Sequence, residues 1–311
     1  MKWVIGASVF AIAMGSVAIM TIPAATITPD EATLRLLPPE TRAVAFVDAA
    51  ALRDAPLVKE ALASDHFQHL NRDLERLKTE TGFDVHRDLE KVTVAALGPS
   101  QMLAIVQGQY DRLRIEQFLN EKGRVSSEAY MGRTLYGDDQ KAVTFIDNLI
   151  VWGDRNTVKK AIDQISLPGS QPLRSDLLEA IQTIEAGSQV WAVGDFSIHD
   201  VPGGFRGPAP ALEMLKSFRG GTYQMRVDRD VHAKAVCNFI DAEAARSLSE
   251  MARGFLAIAK LQVAKEPDLL HALDGIQVSS SGMSVVVSID EPGELLLKMP
   301  EASRQLRELH K

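Results

Sequence analysis

Cysteine is almost missing from this chain: among 311 residues only Cys237 is present, which excludes an internal disulfide and a thiolate metal cluster. Its place inside the apolar stretch 233–240 reads as a small strand residue, with nothing nearby to lower a thiol pKa. Basic runs are equally scarce. None is longer than Lys159-Lys160 and the net charge is −7, whereas a duplex binder displaces counterions with clustered Lys and Arg; no nucleic-acid partner is expected. The Gly-x-Ser-x-Gly elbow, the His-Glu-x-x-His zinc helix, the kinase set and the Ser-x-x-Lys arrangement in its penicillin-binding context are all lacking, so no catalytic residue is assigned and no cofactor is expected.

Charge is also missing from residues 3–25, a run led by Lys2 and followed by Pro23, Asp30 and Glu31. It exceeds the roughly 7–15 residues of a signal-peptide core and approaches the roughly 20 that span a bilayer. An uncleaved signal anchor over residues 1–27 is the leading reading. Its positive flank puts the N-terminus in the cytoplasm and the bulk of the chain in the periplasm, on a single-pass inner-membrane topology. Cleavage near Ala24, giving a secreted or periplasmic protein, is the competing reading.

What remains is ordinary globular sequence, 46% hydrophobic and 24% charged, and long enough for two domains. Residues 28–41, with Pro38-Pro39, read as a spacer. A strand at 43–48 and a helix at 57–81 follow. Then come a hairpin at 92–97 and 102–110 about Gly98-Pro99-Ser100, and a helix opened by Asp111 that buries Leu113, Phe118 and Leu119. Strands at 125–130, 134–136, 143–146 and 149–152, with a helix at 157–165, complete a first repeat over residues 42–166.

After a connecting segment at 167–187 the order recurs over residues 188–300. It runs from a strand at 189–195 and a helix at 211–218 to a hairpin at 221–227 and 231–240, and Asp241 opens a long helix. In that helix Leu248, Met251, Phe255, Ile258 and Leu261 form one apolar stripe, and a last hairpin occupies 276–278 and 283–289. Residues 301–311 are a tail. Sequential hairpins predict an α+β fold: two tandem related domains, each an antiparallel sheet with helices packed on one face, behind an N-terminal apolar helix.

Three clusters invite chemistry. His66, His69 and Asp73 fall on one stripe of the first long helix, the spacing a zinc or nickel ion needs, though a solvated flank explains them as well. Asp84, His86 and Asp88 suggest an acid–base group, or simply a helix cap by Asp84. The irregular stretch 203–208 offers Phe205 and Arg206 as a partner-contact loop, but lacks the glycine spacing and lysine of a phosphate loop. Trp152 and Trp191 read as core residues of their strands.

Leu37-Pro38-Pro39-Glu40 leading into Ala43-Val44-Ala45-Phe46-Val47-Asp48, then Thr81-Gly82-Phe83-Asp84 with Asp88-Leu89, and Phe145-Ile146-Asp147 with Gly153-Asp154, resemble an uncharacterised family of exported proteins from acidobacterial-type soil bacteria. The resemblance covers chiefly residues 37–165; it implies an envelope location and assigns no activity. The expectation is a non-enzymatic envelope protein, held to the membrane, whose duplicated module binds an envelope protein or a small ligand. A hydrolase or transferase with its site between the halves, and a carrier of an apolar ligand, are the alternatives.

Overall fold

The computed structural model describes residues 29–63, 71–98, 101–121, 125–167, 172–195 and 216–295. It is α+β, and its strands form one antiparallel sheet rather than two. At the middle lie β1 (Ala43–Asp48) and β8 (Val190–Gly194), hydrogen-bonded to each other with Phe46 opposite Trp191. Outward from β1 come β2 (Leu89–Gly98), β3 (Gln101–Gly108), β7 (Leu149–Asp154), β6 (Lys141–Ile146), β5 (Arg133–Gly137) and β4 (Ser126–Tyr130). Outward from β8 come β9 (Phe218–Val227), β10 (Asp230–Phe239), β12 (Ser284–Pro292) and β11 (Ile276–Ser281).

Both wings follow one rule: an inner strand, a sequential hairpin, then a second hairpin inserted with its later strand innermost. The tight turns match their residues. Asp147, between β6 and β7, sits at φ 52, in the left-handed region that Asp tolerates better than most residues.

Helices cover both faces of the first wing, which corrects the one-face expectation. On one face Val44, Phe46, Leu103, Ile105, Val151 and Trp191 pack with Val158 and Ile162 of α7 (Arg155–Ser166) and Leu177 and Ile181 of α8 (Ser175–Gln182). On the other, Val47, Val92, Val94, Ala104 and Val106 meet Leu52 of α2 (Ala49–Arg53), Leu77 of α4 (Asn71–Thr81) and Phe83 before α5 (Val85–Asp88). The cause is legible in β2 and β3, where residues of both parities are apolar, the mark of a strand buried on two sides.

The second wing is one-sided. Met225, Val227 and Val231 pack with Leu57 of α3 (Pro56–Ala63). Phe239 and Val285 pack with Ala245 and Leu248 of α9 (Ala242–Gln262), which is followed by α10 (Pro267–Asp274). The opposite face presents His232, Lys234 and Asn238 to solvent. Alternation of that kind is what a half-solvated antiparallel sheet requires.

Further expectations change or lie partly outside the described residues. The segment read as a spacer carries α1 (Glu31–Arg35), capped by Asp30, and inserts Leu36 and Leu37 into the main core, so it belongs to the folded body. The helix read over 57–81 is present as α3 and α4, on either side of residues outside the described set. In α6 (Arg112–Glu121) Leu113 is 70% exposed rather than buried. Phe218, read as the end of a helix, opens β9.

Asp241 caps α9 as its sequence position implies: it is extended, and its Oδ1 accepts from the Ala244 amide at 2.7 Å. Asp241→Ala is expected to cost about 1 kcal/mol, the usual worth of an N-cap side chain. Urea unfolding of the variant against wild type measures it, and an unchanged midpoint would mean that packing alone holds the helix start.

Candidate functional site

Most of the sequence-derived candidates fall outside the described residues. His66, His69, Phe205 and Arg206 lie outside the described residues, as does the side chain of Asp73. Among the described residues no group of three or more His, Cys, Asp or Glu side chains is placed to hold a metal ion.

Asp84, His86 and Asp88 form a structural knot. Asp84 caps α5 by accepting from the His86 amide at 3.1 Å, and pairs with Lys78 at 2.8 Å. The buried Asp88 accepts from the Asp84 amide at 2.9 Å and from Arg87 Nε at 2.7 Å. The Lys78 ammonium and the Arg87 guanidinium hold these carboxyls below the usual carboxylate range. Carboxylates bound this way anchor a turn. They leave His86, which is exposed, without an orienting partner of the kind acid–base chemistry needs.

The other two singled-out strand residues divide. Trp191 is wholly buried, whereas Trp152 is half-buried against the second core cluster, with Lys141 Nζ 5.7 Å above its ring. Cys237 is half-buried on β10, and burial pushes its thiol pKa up, the opposite of a reactive cysteine.

Two features that sequence reasoning missed lie together in the second wing. The first is Glu291 on β12, 3% exposed, its carboxyl oxygens without a well-formed hydrogen bond among the described residues. Burial pushes its pKa above the usual carboxylate value; His271 of α10 and the backbone N–H of Gly275 work against that shift, while Asp274 and Asp290 add to it. The flanking charges are engaged elsewhere: Asp274 pairs with Lys260 at 2.7 Å and Asp290 with His232 Nδ1 at 2.7 Å. The adjacent Gly275 amide donates to His271 O at 3.3 Å, and a Cβ at Gly275 would collide with the Glu291 carboxyl. The signal was available. Val285, Val287, Ile289 and Glu291 share one parity, so the strand's period of two carries the carboxyl onto the apolar face.

The second feature is the outer side of α9, where Phe255 is 48%, Ile258 53% and Leu261 77% exposed. The apolar stripe read from the sequence therefore divides: Leu248 packs on the sheet, whereas Phe255, Ile258 and Leu261 lie on the exposed side of the helix. Rotation along the helix explains this: steps of three residues fall about 60° short of a full turn, so the row drifts off the covered side, on which Ala245, Ser249 and Leu256 lie. Three large apolar side chains in one row exceed the single scattered exposures that need no explanation.

No described helix is long and apolar enough to cross a membrane, and residues 1–28 lie outside the described set. No family model and no curated protein sequence matches the chain. Among solved structures, crystal form III of TP0453 superposes with a TM-score of 0.51 at 11% identity, over 87% of this chain and 97% of that one. Crystal form I of the same protein gives 0.49 at 11% identity, over 89% and 98%. At that identity the likeness is one of fold.

Proposed function

We propose that this chain is a non-enzymatic envelope protein, anchored in the inner membrane by its N-terminal apolar run, that exposes a duplicated α+β binding module to the periplasm. The observation that carries the reading is the uncharged stretch 3–25 led by Lys2, ahead of the described body, whose first helix is capped by Asp30. Duplication is supported by the matching order of strands outward from β1 and from β8. The residues 42–166 and 188–300 are its two copies. They share a sheet edge to edge, so the copies are units of descent within one folded body.

The binding role is supported by the exposed row Phe255, Ile258 and Leu261, a surface suited to another envelope protein or a small apolar ligand.

Reporter fusions at the C-terminus test the address. Alkaline phosphatase, which folds only outside the cytoplasm, is expected to be active there, and a fluorescent protein that matures only inside is expected to be dark. A dark phosphatase fusion with a bright fluorescent one would overturn the envelope location.

A further inference from the structure

The two wings differ at their rims, and the difference leaves one strand unpartnered. β6 and β11 hold the same place, fifth counting outward from β1 and from β8 respectively, each entering a tight hairpin with the strand inside it. The outer edge of β6 is paired with β5, Tyr136 opposite Val143 and Gly137 opposite Ala142. Among the described residues no strand follows β11, because the stretch between β10 and β11 forms α9 and α10 where the first wing has α6, β4 and β5.

The chemistry of this edge is unusual. Exposed edges are ordinarily defended by charge, proline or a bulge. At the other rim β4 carries Glu128, bound to Arg155 at 2.6 Å and Lys159 at 2.7 Å. β11 reads Ile-Gln-Val-Ser-Ser-Ser, with no charge and no proline, and its register with β12 is unbroken. Its outward peptide groups can be identified. Val278 O accepts from Arg253 Nε at 2.8 Å, so that carbonyl points away from β12. In an antiparallel ladder a residue's N–H and C=O point the same way, and alternate residues follow suit. Ile276, Val278 and Ser280 therefore direct their peptide groups outward.

We infer that this edge pairs, antiparallel, with β11 of a second copy of the chain, about a two-fold axis through Val278. The inference rests on the duplicated-unit reading, which identifies the vacant place as that of β5. A second copy fits better than an unrelated extended peptide because the strand is compatible with itself. Val278 meets its own equivalent, Ile276 meets Ser280, and Gln277 meets Ser279, so no residue of β11 itself sets a charge against a like charge. The two-fold places identical outward groups in register, the closed geometry most homodimers use. Each Arg253 guanidinium gives up its carbonyl to the incoming amide. Two 12-stranded sheets thereby become one.

Light scattering on the full-length chain in detergent, with the detergent mass subtracted, tests this. Wild type is expected at twice the 34.0 kDa of one chain. Gln277→Lys with Ser279→Lys sets lysines opposite each other across the axis, on side chains that are solvent-exposed in the single chain. That variant is expected at the mass of one chain with an unchanged thermal midpoint. The same holds for Gln277→Glu with Ser279→Glu. An equimolar mixture of the lysine and glutamate variants is expected to recover the doubled mass. A wild type of single-chain mass, or a lysine variant that stays double, overturns the pairing. Neither result touches the reporter test of location, which reads a different property.

Discussion

Trp191→Ala is expected to remove about 3–5 kcal/mol of stability, the usual cost of emptying a fully buried aromatic site. Trp191 has 0% exposure and stacks on Phe46 at 5.4 Å between ring centroids. The two face each other across β1 and β8, with Val44 and Val193 on the same face beside them. The variant therefore loses transfer free energy, leaves a cavity and breaks an aromatic pair, itself worth about 0.5–1.5 kcal/mol. Whole domains are stable by only about 5–15 kcal/mol, so a large part of the total is at stake in one side chain. Urea unfolding followed by circular dichroism measures the loss, and Trp191→Phe is expected to recover much of it. A loss under about 1 kcal/mol would mean the site collapses around the smaller residue, and that the joint is held mainly by its backbone ladder.

Glu291→Gln is expected to stabilise the protein at neutral pH by about 1 kcal/mol, because an amide avoids the additional cost of desolvating a charge. The carboxyl lacks a well-formed hydrogen bond among the described residues, and burial raises its pKa from the ordinary 4.5. A raised folded-state pKa means that the folded protein holds the proton more tightly than the unfolded chain. The associated stability is fully present below the ordinary value and is lost as pH rises through the folded one. Glutamine keeps the shape without the charge. Its advantage over wild type is expected to be large at pH 7–8 and to close as the pH is lowered toward 4. Thermal midpoints of both proteins across that range decide the matter. A gap that stays constant with pH would show that Glu291 is not the titrating group.

The hairpins were the most legible part of the sequence. Runs such as 143–152 and 276–289 carry their period of two and their turn residues locally, and those strands stand where the pattern put them. Asp84 and Asp241 as caps were equally legible, since a cap is decided within four residues. The joint was not. The β1 and β8 strands pair across the whole first wing, and nothing in either short apolar run selects that partner over another. Two-sided burial was written in the unbroken apolar stretches of β2 and β3, but hairpin counting points to a one-sided sheet and obscured it. Periodicity was misleading at Leu113 and at Phe255, Ile258 and Leu261. A helix pattern states which residues lie near one another on the surface, and whether anything covers them depends on what the rest of the fold places there. Glu291 was overlooked because a carboxylate at a strand end normally reads as solvent-facing.

The joint between β1 and β8 also bears on how such a protein can change over time. Either wing parted from the other would present a bare, almost wholly apolar ribbon, Ala-Val-Ala-Phe-Val-Asp on one side and Val-Trp-Ala-Val-Gly on the other, each a ready template for aggregation. Neither wing can be lost or crippled by mutation without exposing the inner strand of the other. Substitutions are better tolerated toward the rims, where one wing ends in the hairpin of β4 and β5 and the other in β11 beside the long helix α9.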